Sequence, residues 1–195
     1  MRRGGESALR EVGQFFMRAD PVHRSLRKIA SRLDELGIPY AVAGGMALVA
    51  HGYDRTTLDV DVVLSADALP RVHAALDGPG CLPPCEGSRD LRDTETGVRI
   101  DFLVAGQFPG DGRPKPVAFP EPARASVEIA GIRFLSLERL VELKLASGMT
   151  NPGRLRDLAD VQELIRSLRL DAGFAERLDA YVRPKYSELW SAVRR

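Results

Sequence analysis

The chain has little cysteine, no long apolar run and no excess of charge of either sign. Its 28 basic and 27 acidic residues leave a net charge of +1, so bulk electrostatics do not favour a nucleic acid or a membrane as partner. The longest apolar stretch, residues 38–50, is interrupted by Gly44 and Gly45 and is shorter than the ~20 residues needed to cross a bilayer. We therefore expect no membrane span, and any nucleic acid must bind through a local patch.

The two cysteines, Cys81 and Cys85, flank a Leu-Pro-Pro turn. Without a nearby histidine or a further cysteine they supply at most half of a tetrahedral zinc site, so we expect two free thiols in a loop. Arg2 and Arg3 resemble the basic start of a signal peptide, but charged residues interrupt the stretch 4–20 where an apolar run is required. These features predict a cytoplasmic protein.

The 195 residues, 44% of them hydrophobic, suffice for one globular domain with a core and a few additional helices. Periodicity and turn residues predict strands at 40–43, 58–64 and 98–104, and either a bent strand or a tight hairpin at 127–134, which Gly131 interrupts. Helices are expected at 22–36, 46–51, 66–76, 136–147, 154–169, 173–182 and 185–194. We expect an α/β (α+β) fold with a small mixed sheet flanked by helices. Residues 1–135 would form the core with its N-terminal helix, and 136–195 a C-terminal helical region packing on the same cleft.

The segment 58–64 alternates apolar and acidic residues, which is typical of a half-buried strand. In such a strand Asp59 and Asp61 project from one face, about 7 Å apart. That separation suits two metal ions ~4 Å apart, and hard divalent ions such as Mg²⁺ take oxygen ligands between carboxylates that otherwise repel each other. The alternative is a solvent-exposed strand surface, and the spacing alone does not decide between the two.

A candidate phosphate-binding turn precedes this strand. Gly44 and Gly45 lie between a short strand and a short helix, whose first N–H groups and dipole favour an anion. Arg55 and Thr57 follow, so phosphate-binding and metal-binding groups would occupy opposite ends of one strand–helix–strand unit. Arg55 is a secondary candidate for clamping phosphate, since an arginine in a surface turn is ordinary.

A third carboxylate, Asp101, lies within the apolar strand 98–104, where an unpaired charge would be costly. It is therefore a third candidate metal ligand. The alternative is an ion pair with Arg99.

Two predicted helices carry charges inside their apolar arcs. At 100° per residue, Lys144 falls among the leucines and valine of its helix, and Asp157 falls within the apolar arc of the next helix, with Asp160 near its edge. Lys144 would point towards whatever its helix packs on, unless its ammonium snorkels to solvent. The alternatives for the two aspartates are ion pairs with Arg154 and Arg156.

The run AGGMALVAHGYDRTTLDVDVVL, followed later by RIDFLV, resembles the signature of the nucleotidyltransferase superfamily related to DNA polymerase beta. The resemblance implies that Gly44 and Gly45 hold a triphosphate and that Asp59, Asp61 and Asp101 bind two Mg²⁺ ions. Many members carry serine as the second residue of this turn, whereas Gly45 has no hydroxyl. Thr57 or backbone amides would have to replace it.

The tail LVELKLASGMTNPGRLRDLADVQEL is similar to the AbiEii-type branch, found as bacterial toxins, in which a helix lysine and a later helix aspartate complete the site. This similarity implies functional roles for Lys144, with the triphosphate, and for Asp157, or Asp160 in its place.

The resemblance implies transfer of a nucleoside monophosphate from an NTP to an acceptor hydroxyl, with pyrophosphate leaving. The acceptor would be a tRNA or a protein, and a toxin would have an antitoxin protein as partner. One alternative is a non-catalytic nucleotide-binding regulatory or antitoxin-like module, against which the three aspartates argue. A second is transfer to a small molecule such as an aminoglycoside antibiotic, and the sequence does not identify the NTP or the acceptor.

Overall fold

The computed structural model describes residues 20–53, 55–78 and 80–194, so the amino-terminal stretch weighed above as a signal peptide lies almost entirely outside them. Within these ranges, no helix has both the length and the apolar character needed to cross a membrane. The described residues divide into two compact units, the first within 20–105 and 121–135 and the second within 106–120 and 136–194. The connection 106–120, which the sequence-based division assigned to the core, thus belongs to the second unit.

The first unit is a seven-stranded mixed sheet with helices, so the predicted α/β fold class is confirmed. Its helices are α1 (Pro21–Glu35), α2 (Gly44–Ala50), α3 (Ala68–Leu76) and α4 (Pro122–Ala125). Its strands are β1 (Tyr40–Val42), β2 (Asp59–Leu64), β3 (Cys81–Leu82), β4 (Leu91–Asp93), β5 (Arg99–Val104), β6 (Ser126–Ile129) and β7 (Ile132–Leu135). The strand order is β3-β4-β5-β2-β1-β7-β6, in which β2 is antiparallel to β1 and parallel to β5.

The two central strands are amphipathic because their residues alternate between faces. Val60 and Val62 of β2 and Ile100 and Phe102 of β5 are buried on one face. The three candidate aspartates on the other face are only partly buried, whereas Val63 further along that face of β2 is buried. The alternation read from the sequence therefore fixes which residues face the core and which remain available for chemistry.

Two features of this unit differ from the sequence-based expectation. Gly44 and Gly45, predicted as a turn before a helix, are themselves the first residues of α2. The Pro/Gly/Cys segment predicted as a loop contains the short edge strands β3 and β4. Cys81 lies in β3 and is buried, while Cys85 is exposed, and both are free thiols as predicted.

The second unit is helical. It contains α5 (Leu137–Thr150), a 3₁₀ turn (Pro152–Arg154), α6 (Leu155–Ser167), a second 3₁₀ segment (Ala172–Arg177) and α7 (Arg183–Val193). The predicted helix at 173–182 is wrong. The chain becomes extended at Leu178, and the next amide, that of Asp179, donates to the buried Glu142 carboxylate at 2.6 Å instead of to a helical carbonyl.

Candidate active site

The three candidate carboxylates lie on neighbouring strands of the sheet. The parallel pairing of β2 with β5 sets Asp61 opposite Asp101 and Asp59 opposite Arg99. Paired positions on adjacent strands share a face and are separated by about 4.8 Å. The register therefore places Asp59, Asp61 and Asp101 on one patch of the sheet, the acidic patch, although they span 42 positions of the sequence.

Gly44, the first residue of α2, lies against Asp61. Gly44 has a φ of +56°, and a Cβ atom at this position would lie only 1.7 Å from Asp61 Oδ2. The backbone amide of Ala43 also donates to the Asp61 carbonyl at 2.9 Å. Glycine is required here both for its backbone conformation and for the close approach of the carboxylate. The start of α2 and the second aspartate thus form one packed unit.

Thr57 occupies the space beside Gly45. A Cβ atom at Gly45 would lie 2.4 Å from Thr57 Oγ1, and this hydroxyl donates to Asp59 Oδ1 at 3.0 Å. Gly45 lacks the hydroxyl that many members of the resembled superfamily carry, and Thr57 supplies a hydroxyl at the same place. In the described structure that hydroxyl orients Asp59.

An open cavity of about 480 Å³ adjoins Thr57. Its walls come from the start of α1, from α2 and from the segment before β2, and include Asp20, His23, Met46, Val49, Arg55 and Thr57. The second predicted phosphate-binding residue, Arg55, therefore lines the same cavity as Thr57. Its Nε donates weakly to the Thr56 carbonyl at 3.4 Å.

Asp101 has an unusual charge environment. Burial raises the pKa of Asp101, the neighbouring charge of Asp90 raises it further, the Arg99 guanidinium lowers it, and the charge of Asp59 raises it again. The net result is a pKa above the ordinary value of 3.8. The ion pair with Arg99, which the sequence offered as the alternative to metal binding, is present.

One oxygen of Asp101 is suited to an additional cation. Its Oδ1 atom is buried and, among the described residues, has no donor with hydrogen-bond geometry, although the Arg99 guanidinium lies against it as an ion pair. A buried carboxylate oxygen in this state is costly unless a cation or a proton compensates it. The residues therefore fit a hard divalent ion, even though no described group of three His, Cys, Asp or Glu side chains has the spacing of a formed metal site.

The charged residues of the helical unit form a buried network. Lys144 Nζ donates to Asp157 Oδ1 at 2.9 Å and to Asp160 Oδ2 at 2.7 Å, and all three side chains are less than 10% exposed. Ser147 Oγ and Arg154 Nε both donate to Asp157 Oδ2, at 2.7 and 2.9 Å. Burial alone would raise the pKa of Asp157, but Lys144, Ser147 and Arg154 together hold it below 3.8.

These contacts settle which ion pairs are present. The pair between Asp157 and Arg154 that the sequence suggested exists, whereas Asp160 pairs with Lys144 instead of Arg156. Within the helical unit, the Lys144 ammonium is therefore engaged by two carboxylates.

The sequence did not identify Asp90 and Arg99 as part of the charge network around the acidic patch. Asp90 accepts from Arg99 Nη2 at 2.7 Å and from the Phe102 amide at 3.3 Å. It lies in a segment without clear periodicity, just before β4, so nothing in the sequence linked it to β5. Arg99 was considered only as a partner of Asp101, although its position two residues earlier on an alternating strand already predicted a shared face.

Replacing Gly44 by alanine is expected to destabilise the protein by more than the backbone strain alone. The control is Gly37→Ala, since Gly37 has a similar φ of +61° but no atom within 4 Å of an added Cβ. Gly37→Ala should cost about 1 kcal/mol, and Gly44→Ala more, because its Cβ displaces Asp61. Urea denaturation measures both free energies of unfolding. Equal losses would show that Asp61 moves aside freely.

Comparison with solved structures identifies the fold. No protein-family model and no curated protein matches the chain. The crystal structure of ANT(2'')-Ia in complex with adenylyl-2''-tobramycin is similar at 17% identity and a TM-score of 0.54, covering 88% of this chain and 95% of that one. The solution structure of the antibiotic-resistance factor ANT(2'')-Ia is similar at 18% identity and a TM-score of 0.56, covering 94% and 98%.

An antigenic nucleotidyltransferase-like protein from Paracoccidioides brasiliensis is similar at 18% identity and a TM-score of 0.50, covering 88% of this chain and 91% of that one. At these identities the likeness establishes the fold alone. The chain has a nucleotidyltransferase fold.

Proposed function

We propose that the protein is a Mg²⁺-dependent nucleotidyltransferase that transfers a nucleoside monophosphate from an NTP to an acceptor hydroxyl. The observation that carries this proposal is the placement of three carboxylates on one face of β2 and β5, with Asp61 packed against Gly44 at the start of α2. A triphosphate and divalent ions are the ligands that such a combination of backbone N–H groups and carboxylates can hold together.

Asp59 and Asp61 would hold both Mg²⁺ ions, and Asp101 would hold one of them. When bound, the ions supply charge stabilisation to the attacking and leaving oxygens of the transfer. The Thr57 hydroxyl keeps Asp59 oriented through its hydrogen bond to Oδ1. Asp101 would also lie near the acceptor hydroxyl.

Gly44 and Gly45 would bind the triphosphate through the first N–H groups of α2, and Arg55 and Thr57 would line the site beside it. The roles proposed for Lys144 at the triphosphate and for Asp157 as an additional functional carboxylate rest on the AbiEii-type resemblance. Their mutual ion pair in the helical unit supports a second, structural role.

Magnesium and an NTP together are expected to raise the melting temperature, because ligands that bind only the native state stabilise it by mass action. A ligand at a hundred times its dissociation constant contributes about 2.7 kcal/mol. Differential scanning fluorimetry with each NTP at millimolar concentration, with and without Mg²⁺, measures the shift. A melting temperature that no combination changes would contradict the proposed nucleotide site.

The transfer itself is tested by incubating the protein with each radiolabelled NTP, Mg²⁺ and separate pools of tRNA, cytoplasmic protein and small hydroxylated molecules. Label that appears in one pool identifies both the nucleotide and the acceptor class. Nucleotide binding without transfer to any pool would instead support the non-catalytic regulatory or antitoxin-like alternative.

A small-molecule acceptor is the second candidate. It is supported by the similarity to ANT(2'')-Ia, whose crystal structure contains adenylyl-2''-tobramycin. Adding tobramycin and other aminoglycosides to the small-molecule pool tests it directly. The AbiEii-type resemblance instead predicts a cytoplasmic toxin that labels tRNA or protein and is neutralised by an antitoxin, so growth arrest on expression would favour that role.

A further inference from the structure

We propose that Arg99 is the resident counter-cation of the acidic patch, and that a divalent ion binds there by displacing its guanidinium from Asp101 while the guanidinium stays paired with Asp90. This inference rests on the proposed function, because it assigns a role to Arg99 at the same carboxylates.

The register places Arg99 among the three aspartates. It is the direct partner of Asp59 across the β2–β5 pairing, and it precedes Asp101 by two residues on the same strand. Residues at both kinds of position share one face of the sheet. The only charge of opposite sign that these two strands contribute to the patch is therefore that of Arg99.

The two contacts of the guanidinium are not equivalent. Arg99 Nη2 donates a well-formed hydrogen bond to Asp90 Oδ2 at 2.7 Å. Against Asp101 Oδ1 the guanidinium uses a different nitrogen, Nε, and forms an ion pair. Because the two carboxylates hold different nitrogens, a competing cation can break the contact with Asp101 while Nη2 stays on Asp90.

The exposure of Arg99 and the anchoring of Asp90 allow a metal ion to replace the guanidinium at Asp101. The Arg99 side chain is 52% exposed, so it can move without crossing packed residues, whereas Asp90 and Asp101 are only 17% and 21% exposed. Asp90 is also anchored, because its Oδ1 accepts from the Phe102 amide. Asp90 can thus retain the guanidinium after a metal ion has taken its place at Asp101. Without either cation, Asp101 would face the charge of Asp59 and that of Asp90, which only the more distant Arg89 contact at 4.0 Å would offset among the described ion pairs.

The test measures Mn²⁺ binding in the absence of nucleotide, by electron paramagnetic resonance of the free ion. Removing the competing cation by Arg99→Gln is expected to tighten Mn²⁺ binding by about threefold to tenfold. The matched control is Arg32→Gln. Arg32 carries the same charge, pairs with the exposed Glu35 at 2.6 Å, and lines a cavity with Ile100, whose side chain lies on the opposite face of β5 from Arg99. Arg32→Gln should leave Mn²⁺ affinity close to that of the wild type.

Melting temperature in a chelator provides the second measurement. Arg99→Gln should melt lower than the wild type without metal and should gain more from saturating Mn²⁺, because the ion then replaces a missing charge. Arg99→Lys, which keeps the charge, should restore the wild-type response.

Equal Mn²⁺ affinities for Arg99→Gln and Arg32→Gln, or weaker binding by Arg99→Gln than by the wild type, would overturn the role of Arg99 and leave the proposed metal site standing. Absence of Mn²⁺ binding in the wild type and in Arg99→Gln alike would overturn the metal site itself, and this inference with it.

Discussion

Asp61→Asn is expected to abolish nucleotidyl transfer, lowering the rate by on the order of a thousandfold or more, while the fold survives. The substitution removes one negative charge from the proposed ligand set without changing side-chain volume. Asp61 is the aspartate that packs against Gly44 and lies opposite Asp101, so its charge is central to the patch. Transfer of radiolabel from the NTP, measured at saturating Mg²⁺, gives the rate.

The fold of this variant can be checked independently. Relief of repulsion among the carboxylates means that the melting temperature in a chelator should not fall. Asp67→Asn provides the control, since Asp67 is exposed before α3 and its side chain forms no capping hydrogen bond there. Wild-type turnover by Asp61→Asn would remove this residue from the metal site.

Lys144→Met is expected to reduce the free energy of unfolding by about 3 to 5 kcal/mol, because it removes the cation between two buried carboxylates. Methionine preserves most of the packing of the lysine stem but leaves the carboxylates of Asp157 and Asp160 without the ammonium that pairs with both. Chemical denaturation at neutral pH measures the loss.

Lys185→Met on α7 is the matched control. Lys185 pairs with Glu188 at 2.6 Å, but the Glu188 side chain is 63% exposed, so this pair should be worth less than about 1 kcal/mol. A similarly small loss for Lys144→Met would mean that the buried network contributes little to stability.

The role of Lys144 at the nucleotide is a separate question from its role in stability. Titration with a non-hydrolysable NTP analogue, at a temperature where the variant is folded, separates the two. If Lys144 also contacts phosphate, affinity should fall by on the order of tenfold to a hundredfold. An unchanged dissociation constant, together with the loss of stability, would assign Lys144 to the structural network alone.

The central strands could be predicted because their alternation is a local property. The alternation of apolar and polar residues in 58–64 and 98–104 predicted two strands, each with one buried and one polar face. The structure contains both strands, as β2 and β5. The pairing that sets Asp61 beside Asp101 follows from the parallel register, which no local pattern encodes. The edge strands β3 and β4 span only two and three residues, too few for a periodicity to appear.

The buried network of Lys144, Asp157 and Asp160 shows a second limit of prediction from sequence. Helical periodicity correctly placed Lys144 and Asp157 within apolar arcs, and both side chains are buried. Lys144 was then linked to the triphosphate, and Asp157 to a functional role or to an ion pair with Arg154, because a helical wheel describes one helix at a time. Opposite charges in two facing apolar arcs compensate each other once the helices pack, and the packing is a tertiary property.

The contact between Gly45 and Thr57 has a consequence for how this sequence can vary over evolution. A serine at position 45 would place its Cβ 2.4 Å from the present Thr57 hydroxyl, so both side chains cannot be accommodated as the backbone stands. A serine at position 45 and a threonine at position 57 therefore exclude each other, because their side chains would occupy the same space. The two positions should covary among homologous chains, with the larger side chain on one partner matched by a smaller one on the other.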